Sequence, residues 1–274
     1  MTIGVTRVLL NLALSHFQNV NLGSCNKEVF ALAGIKRVAF LRHGNTSPSP
    51  NGNDFERTLT TLGENQARAA GLCFGAHKLK PFYPQILCSP APRCVSTANI
   101  FIDAALNDGD TLLFSQSKVG NTDDLQAEAS SPVLALIPSL YDGTMQPEGS
   151  RIFKKHGYAP IREYLEDPDV EDRKVANDIL GAYGRDALES MITTLVESNT
   201  STLDNNLGRT LLVIGHAIYL PAAALCLAYV CECDAKGEEL ILSTNTREAE
   251  GYAIDVSEGK VTLLCRPEQS RDLN

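Results

Sequence analysis

The feature that most constrains this chain is Thr210-Leu211-Leu212-Val213-Ile214, a short apolar run stopped by Gly215-His216. It has the length of a strand rather than a helix, and its near-continuous apolar character suits a strand covered on both faces. Arg37-Val38-Ala39-Phe40-Leu41 is a second run of this kind and ends in Arg42-His43-Gly44. Gln85-Ile86-Leu87-Cys88 is a third, stopped by Ser89-Pro90-Ala91-Pro92, and Thr111-Leu112-Leu113-Phe114 is a candidate fourth. Between the runs the pattern turns helical. Thr61-Leu62-Gly63-Glu64 has the spacing of a capping box with Thr61 as N-cap, and Leu62, Ala69, Leu72, Cys73, Ala76 and Leu79 follow at helical spacing. Helices are also predicted near 94–105, in two stretches between 158 and 196, and over 220–230, with a hairpin turning about Ser257-Glu258-Gly259. Strands alternating with helices argue for the α/β class, with a mainly parallel central sheet.

The 274 residues are enough for one large domain, and no linker divides them. We read residues 1–31 as an N-terminal extension and 32–274 as a single domain, with insertions near 115–132 and 143–172. The extension has no acidic residue before Lys27 and an apolar stretch over 8–14, which fits either an organellar transit peptide or a packing helix. A cytoplasmic location is the first expectation, with plastid or mitochondrion as the alternative. No stretch approaches the roughly 20 apolar residues that span a bilayer. The net charge of −9 disfavours nucleic acid and anionic membranes as partners. Oligomeric state is not legible. The eight cysteines lie in apolar or helical contexts and read as reduced. Cys226, Cys231 and Cys233 lack paired knuckles and a histidine at ligand spacing, so no metal site and no cofactor is expected.

In open parallel sheets ligands gather beyond the carboxyl ends of the strands. Two of the runs end there in a histidine, His43 and His216, and Arg93 follows a third. Arg42 precedes His43 directly, so two imidazoles and two guanidiniums converge on one edge. A neutral imidazole is a competent nucleophile near pH 7. Arginine forks match phosphate oxygens and stabilise the charge spread over them during transfer. Such a set needs no metal, but it lacks a proton donor for the leaving group. His16, His77 and His156 have no comparable context and read as structural.

These segments carry a resemblance. Val38-Ala39-Phe40-Leu41-Arg42-His43-Gly44-Asn45-Thr46 resembles the signature of the histidine phosphatase (phosphoglycerate mutase-like) superfamily. Cys88-Ser89-Pro90-Ala91-Pro92-Arg93, continuing to Thr97-Ala98, resembles its second block, and Val213-Ile214-Gly215-His216 its third. The resemblance implies a three-layer α/β/α sandwich in which His43 is phosphorylated and Arg42, Arg93 and His216 clamp the phosphate. It also places the Thr46 hydroxyl near that phosphate. The segment from Asp54 to Ala67, with Arg57, Leu59-Thr60, Gly63 and Gln66-Ala67, is similar to the phosphohistidine phosphatase branch, as is Leu140-Tyr141-Asp142.

The acid is less determined. Acid phosphatase members carry an aspartate directly after the second histidine, where this chain has Ala217. Asp142 is the first candidate and Glu148, in Gln146-Pro147-Glu148-Gly149, the second. The expected activity is therefore a metal-independent phosphatase acting on a phosphorylated small molecule or a phosphohistidine protein. The alternatives are a non-catalytic member that keeps the phosphate pocket, or a phosphoglycerate mutase.

Overall fold

The structure, a computed structural model, describes residues 28–49, 51–73, 82–106, 132–141, 147–197 and 208–264. The N-terminal extension up to residue 27, the candidate strand at 111–114, the polar stretch 115–131 and Asp142 lie outside them.

The described strands form one six-stranded sheet. In chain order they are β1 (Ile35–Arg42), β2 (Phe82–Cys88), β3 (Val133–Leu136), β4 (Arg209–Gly215), β5 (Gly251–Asp255) and β6 (Lys260–Leu264), arranged β3-β2-β4-β1-β5-β6. The pairs β3–β2, β2–β4 and β4–β1 are parallel, and the closing hairpin β5–β6 adds antiparallel strands beside β1. The sheet is thus mainly parallel, as the apolar runs require. β3 had no strand reading from the sequence, although its residues begin the apolar run before Asp142.

Alternate residues of each strand serve different layers, because side chains on a strand point to opposite faces in turn. Val38 and Phe40 of β1, Leu211 and Val213 of β4, and Tyr252 and Ile254 of β5 join one core. That core is covered by α1 (Glu28–Leu32), α6 (Val170–Glu197) and α7 (Tyr219–Val230). Ala39 and Leu41, Leu212 and Ile214, and Ala253 join the other, under α2 (Thr61–Ala70) and α3 (Pro92–Leu106). The result is a three-layer α/β/α sandwich. Three further helices, α4 (Pro147–His156), α5 (Ile161–Leu165) and α8 (Ala235–Ser243), complete the first layer.

Two helix starts differ from expectation. The N-cap of α2 is Thr60, whose hydroxyl accepts from Gly63 N–H at 3.1 Å and donates to Asn45 Oδ1 at 2.8 Å. The third helical position is then Gly63, so Glu64 cannot close the expected capping box with Thr61. The tie to Asn45 selects the first of two adjacent threonines. α3 begins at Pro92, a residue with no N–H to leave unpaired in a first turn. Arg93 therefore sits in that first turn rather than in a loop. α2 runs to Ala70 and continues as a π-helical turn over 71–73, and the rest of that expectation, from 74 to 81, lies outside the described residues.

Candidate active site at the carboxyl edge of the sheet

β1, β2 and β4 run in parallel, so their last residues open onto one edge. His43 follows β1 and donates its backbone N–H to Gly215 O at the end of β4 (3.1 Å). Ser89, following β2, donates its N–H to Ile214 O (2.9 Å). The loop after His43 is then clamped from both helices of the second layer. Gly44 N–H donates to Thr97 Oγ1 in α3 (3.0 Å), and Asn45 N–H donates to Gln66 Oε1 in α2 (2.8 Å). The approach of loop to helix leaves no room for side chains: a Cβ on Gly44 would lie 2.4 Å from Gly63 O, and one on Gly63 would lie 2.1 Å from Asn45 O. That is why this histidine is followed by glycine and why α2 carries one in its first turn.

The two imidazoles lie edge to face, with centroids 5.3 Å apart. His43 Nδ1 is 2.8 Å from Gly44 O. A carbonyl only accepts, so Nδ1 carries the hydrogen and Nε2 holds the lone pair. Burial pushes the His43 pKa down to about 3, with Arg42, Arg93 and Arg57 adding to the shift and the Gly44 bond opposing it. The ring is therefore neutral in any ordinary buffer. His216 is the opposite tautomer. Its Nδ1 accepts from Arg93 Nη2 at 3.3 Å, and its Nε2 donates to Ser89 Oγ at 2.9 Å. Burial, then the neighbouring His43 and arginines, holds it well below its usual value.

The arginines divide the work. Arg93 is buried and donates to the Asp54 backbone carbonyl (2.6 Å) and to Asp54 Oδ2 (2.7 Å). Arg57 donates to Ser47 O (3.2 Å), to Asp54 Oδ1 (3.2 Å) and to the Thr46 hydroxyl. Arg42 is also buried. It donates to Thr246 O (2.8 Å), pairs with Glu248 (3.5 Å), and lies with Cζ 4.7 Å from the Tyr158 ring centroid. Its Nε is buried and meets no hydrogen-bond partner among the described residues.

A cavity of about 250 Å³ opens beside these groups. His43, Arg93 and His216 line it, together with Arg57 and Asp54, which in the sequence stand out only as part of a family-like pattern. Asp54 stands in a 3-10 turn (Asp54–Glu56) capped by Asn53, with its carboxylate across both guanidiniums. Partial burial pushes that carboxyl up, but Arg93 and Arg57 outweigh it and hold it below the ordinary carboxylate range. Of the other expected residues, Arg42 and Thr46 stand behind the lining rather than in it, Thr46 holding Arg57. Glu148 is exposed in the first turn of α4 and does not line the cavity. The far wall is Ser150, Phe153 and Tyr158 from α4 and the turn after it, with Ala217, Ile218 and Tyr219 leading into α7.

Comparison with known proteins points the same way as the motifs. Residues 38–108 match the family described as histidine phosphatase superfamily (branch 1), so the resemblance read in β1 and in the Ser89–Arg93 turn holds over that stretch. No curated protein matches the chain. Among solved structures, the chain is similar to the putative phosphohistidine phosphatase SixA from Agrobacterium tumefaciens, at 16% identity over 80% of this chain and 91% of that one, with a TM-score of 0.42. The phosphoserine phosphatase of Entamoeba histolytica in complex with 3-phosphoglyceric acid shares 13% identity over 85% and 98%, with a TM-score of 0.46. The ecdysone phosphate phosphatase EPPase from Bombix mori shares 17% over 85% and 94%, with a TM-score of 0.47.

Proposed function

We propose that this chain is a phosphatase in which His43 Nε2 takes the phosphoryl group of a phosphate ester and passes it to water. The observation that carries this reading is the Gly44 carbonyl on Nδ1, which leaves the lone pair on Nε2 of a ring that burial keeps neutral. In the first step Nε2 bonds to phosphorus, and the bond from phosphorus to the ester oxygen breaks with its electron pair on that oxygen. In the second, a water oxygen bonds to phosphorus and the nitrogen–phosphorus bond breaks, which restores the imidazole and leaves phosphate. Arg93 and Arg57 are the donors for the phosphoryl oxygens, with Arg42 and His216 beside them. Fixed cations lower both barriers because charge is spread over those oxygens at each transition state.

The departing oxygen needs a proton. Asp54 is the carboxylate among the described residues that line the cavity, which favours it over the exposed Glu148, while Asp142 lies outside the described residues. Its carboxyl is held ionised by Arg93 and Arg57. A phosphoryl group seated on those arginines takes over their charge, so the carboxyl's proton affinity rises as substrate binds. Asp54 then hands a proton to the leaving oxygen and accepts one from the attacking water.

Labelling with radioactive acetyl phosphate tests the mechanism. The wild type is expected to acquire an acid-labile, base-stable phosphoryl group. His43→Ala, with its fold checked by circular dichroism, acquires none and loses turnover on the order of 10⁴-fold. Undiminished turnover in that variant overturns the mechanism. Phosphate binding without label or turnover in the wild type would instead indicate a binding-only member.

A further inference from the structure

We infer that the substrate of this site is a phosphate monoester whose alcohol carries a flat apolar group, an aryl or arylalkyl ester rather than a sugar, an amino acid or a protein side chain. The inference rests on the proposed phosphatase reading and extends it to the leaving group. It comes from the contrast between the cavity's two walls. The polar wall holds His43, Arg57, Arg93, His216 and Asp54, and its cations are the donors that the proposed mechanism assigns to the phosphoryl oxygens. The opposite wall is Phe153, Tyr158, Ala217, Ile218 and Tyr219, with the Ser150 hydroxyl.

That second wall is built rather than incidental. Phe153 and Tyr158 meet edge to face at 5.5 Å, and the Tyr158 ring lies against the Arg42 guanidinium that precedes the nucleophile. Tyr219 is buried against Tyr183 with centroids 4.7 Å apart, so the floor is fixed from behind. Tyr158 is 49% exposed, which puts an aromatic face at the mouth where a ring enters. Rings so placed take another ring edge to face or offset.

The same wall is unsuited to the commoner esters. A leaving group with its own carboxylate meets no cation there among the described residues, and it faces Asp54 across the cavity. A polyol would exchange water for a wall of mainly apolar carbon, with only the hydroxyls of Ser150, Tyr158 and Tyr219 to bond in return among the described lining residues. Size acts in the same direction. The cavity's 250 Å³ falls below the roughly 300–1,000 Å³ of drug-sized sites, so it suits a phosphate with one small ring system and not a length of polypeptide.

The test compares primary alkyl phosphates, so that leaving-group reactivity does not decide the result: benzyl phosphate, glycerol 3-phosphate and phosphoserine, beside a phosphohistidine peptide. Benzyl phosphate is expected to show kcat/KM at least about tenfold above the others. Phe153→Ala removes most of that preference through KM, while Phe153→Leu, which keeps apolar volume and packing, removes less. Inhibition by phenylphosphonate against methylphosphonate reads the same wall without turnover, and the phenyl compound is expected to bind about tenfold tighter. Equal phosphonate affinities, or a preference for the polar esters or the peptide, overturn the inference whatever the label shows. Absence of label with the phenyl preference intact overturns the catalytic reading and leaves the aryl pocket standing.

Discussion

Two of the buried groups of charged side chains among the described residues are built in opposite senses. Between α4 and the start of α6, the side chains of Asp167 and Asp172 are buried at 0% and 7% exposure, and the cations they hold, Lys155 and Arg151, are 41% and 57% exposed. Asp167 accepts from Lys155 (2.8 Å) and from His156 Nε2 (2.6 Å), and it also receives the Asp169 N–H (2.9 Å). In and behind the cavity wall the burial is reversed. The Arg93 and Arg42 side chains are 2% and 6% exposed, whereas their partners Asp54 and Glu248 are 48% and 30% exposed. A buried anion fixed by a backbone N–H and by side-chain donors on a neighbouring helix is a structural joint. A buried cation whose anion stands in solvent can exchange that anion for another, which is what a phosphate site must do.

The sharpest way to break this contrast is to remove a buried cation. Arg93→Ala is expected to lower kcat by about 10²–10³-fold. It should also abolish the stabilisation of ~2.7 kcal/mol that inorganic phosphate at about 100 times its Kd gives the wild type, read as the shift of thermal unfolding. Removing the exchangeable anion acts in two directions at once. Asp54→Asn is expected to tighten inhibition by phosphate, because the arginines lose their resident carboxylate. Turnover falls about 10²-fold, because the proton donor goes with it. A lower kcat with no gain in phosphate affinity would show that Asp54 does not compete for the arginines. The smallest effect on chemistry belongs to the other group. Asp167→Asn should leave kcat/KM within about twofold while lowering the midpoint of urea unfolding. The hydrogen bond from Lys155, with help from His156 and against the opposing effect of burial, holds the Asp167 carboxyl below the ordinary range. Its contribution is therefore complete above about pH 4 and is lost as pH falls through the depressed folded value. The variant's unfolding midpoint should accordingly fall less on acidification than the wild type's.

These two groups were not equally legible. His43 and His216 could be read because each closes a short apolar run, and a parallel sheet gathers strand ends at one edge. The alternation of Val38 with Ala39 and of Leu211 with Leu212 between two cores follows from the same runs. Asp54 and Arg57 gave no such signal. An aspartate and an arginine three apart in a polar loop look like a solvated surface pair, and only the folded loop carries them over Arg93. The choice of Thr60 over Thr61 as cap was also beyond reach, since Asn45, which decides it, lies fifteen residues earlier. The Asp167 group joins His156 and Lys155 to a turn eleven and twelve residues on, a separation with no helical or strand period. The sequence offered His156 as structural, and its place in that joint agrees.

The contact between Gly44 and Gly63 bears on how the second half of the reaction must run. With backbone against backbone on one side and Gly215 on the other, the nucleophile's loop has nowhere to swing. In the proposed mechanism a phosphoryl group taken up by His43 would therefore stay where it arrived, and would not be carried to a distant acceptor. In that mechanism the alcohol must leave before a water can take its place opposite the same nitrogen. Release of the first product then becomes a gate on the turnover of the whole molecule.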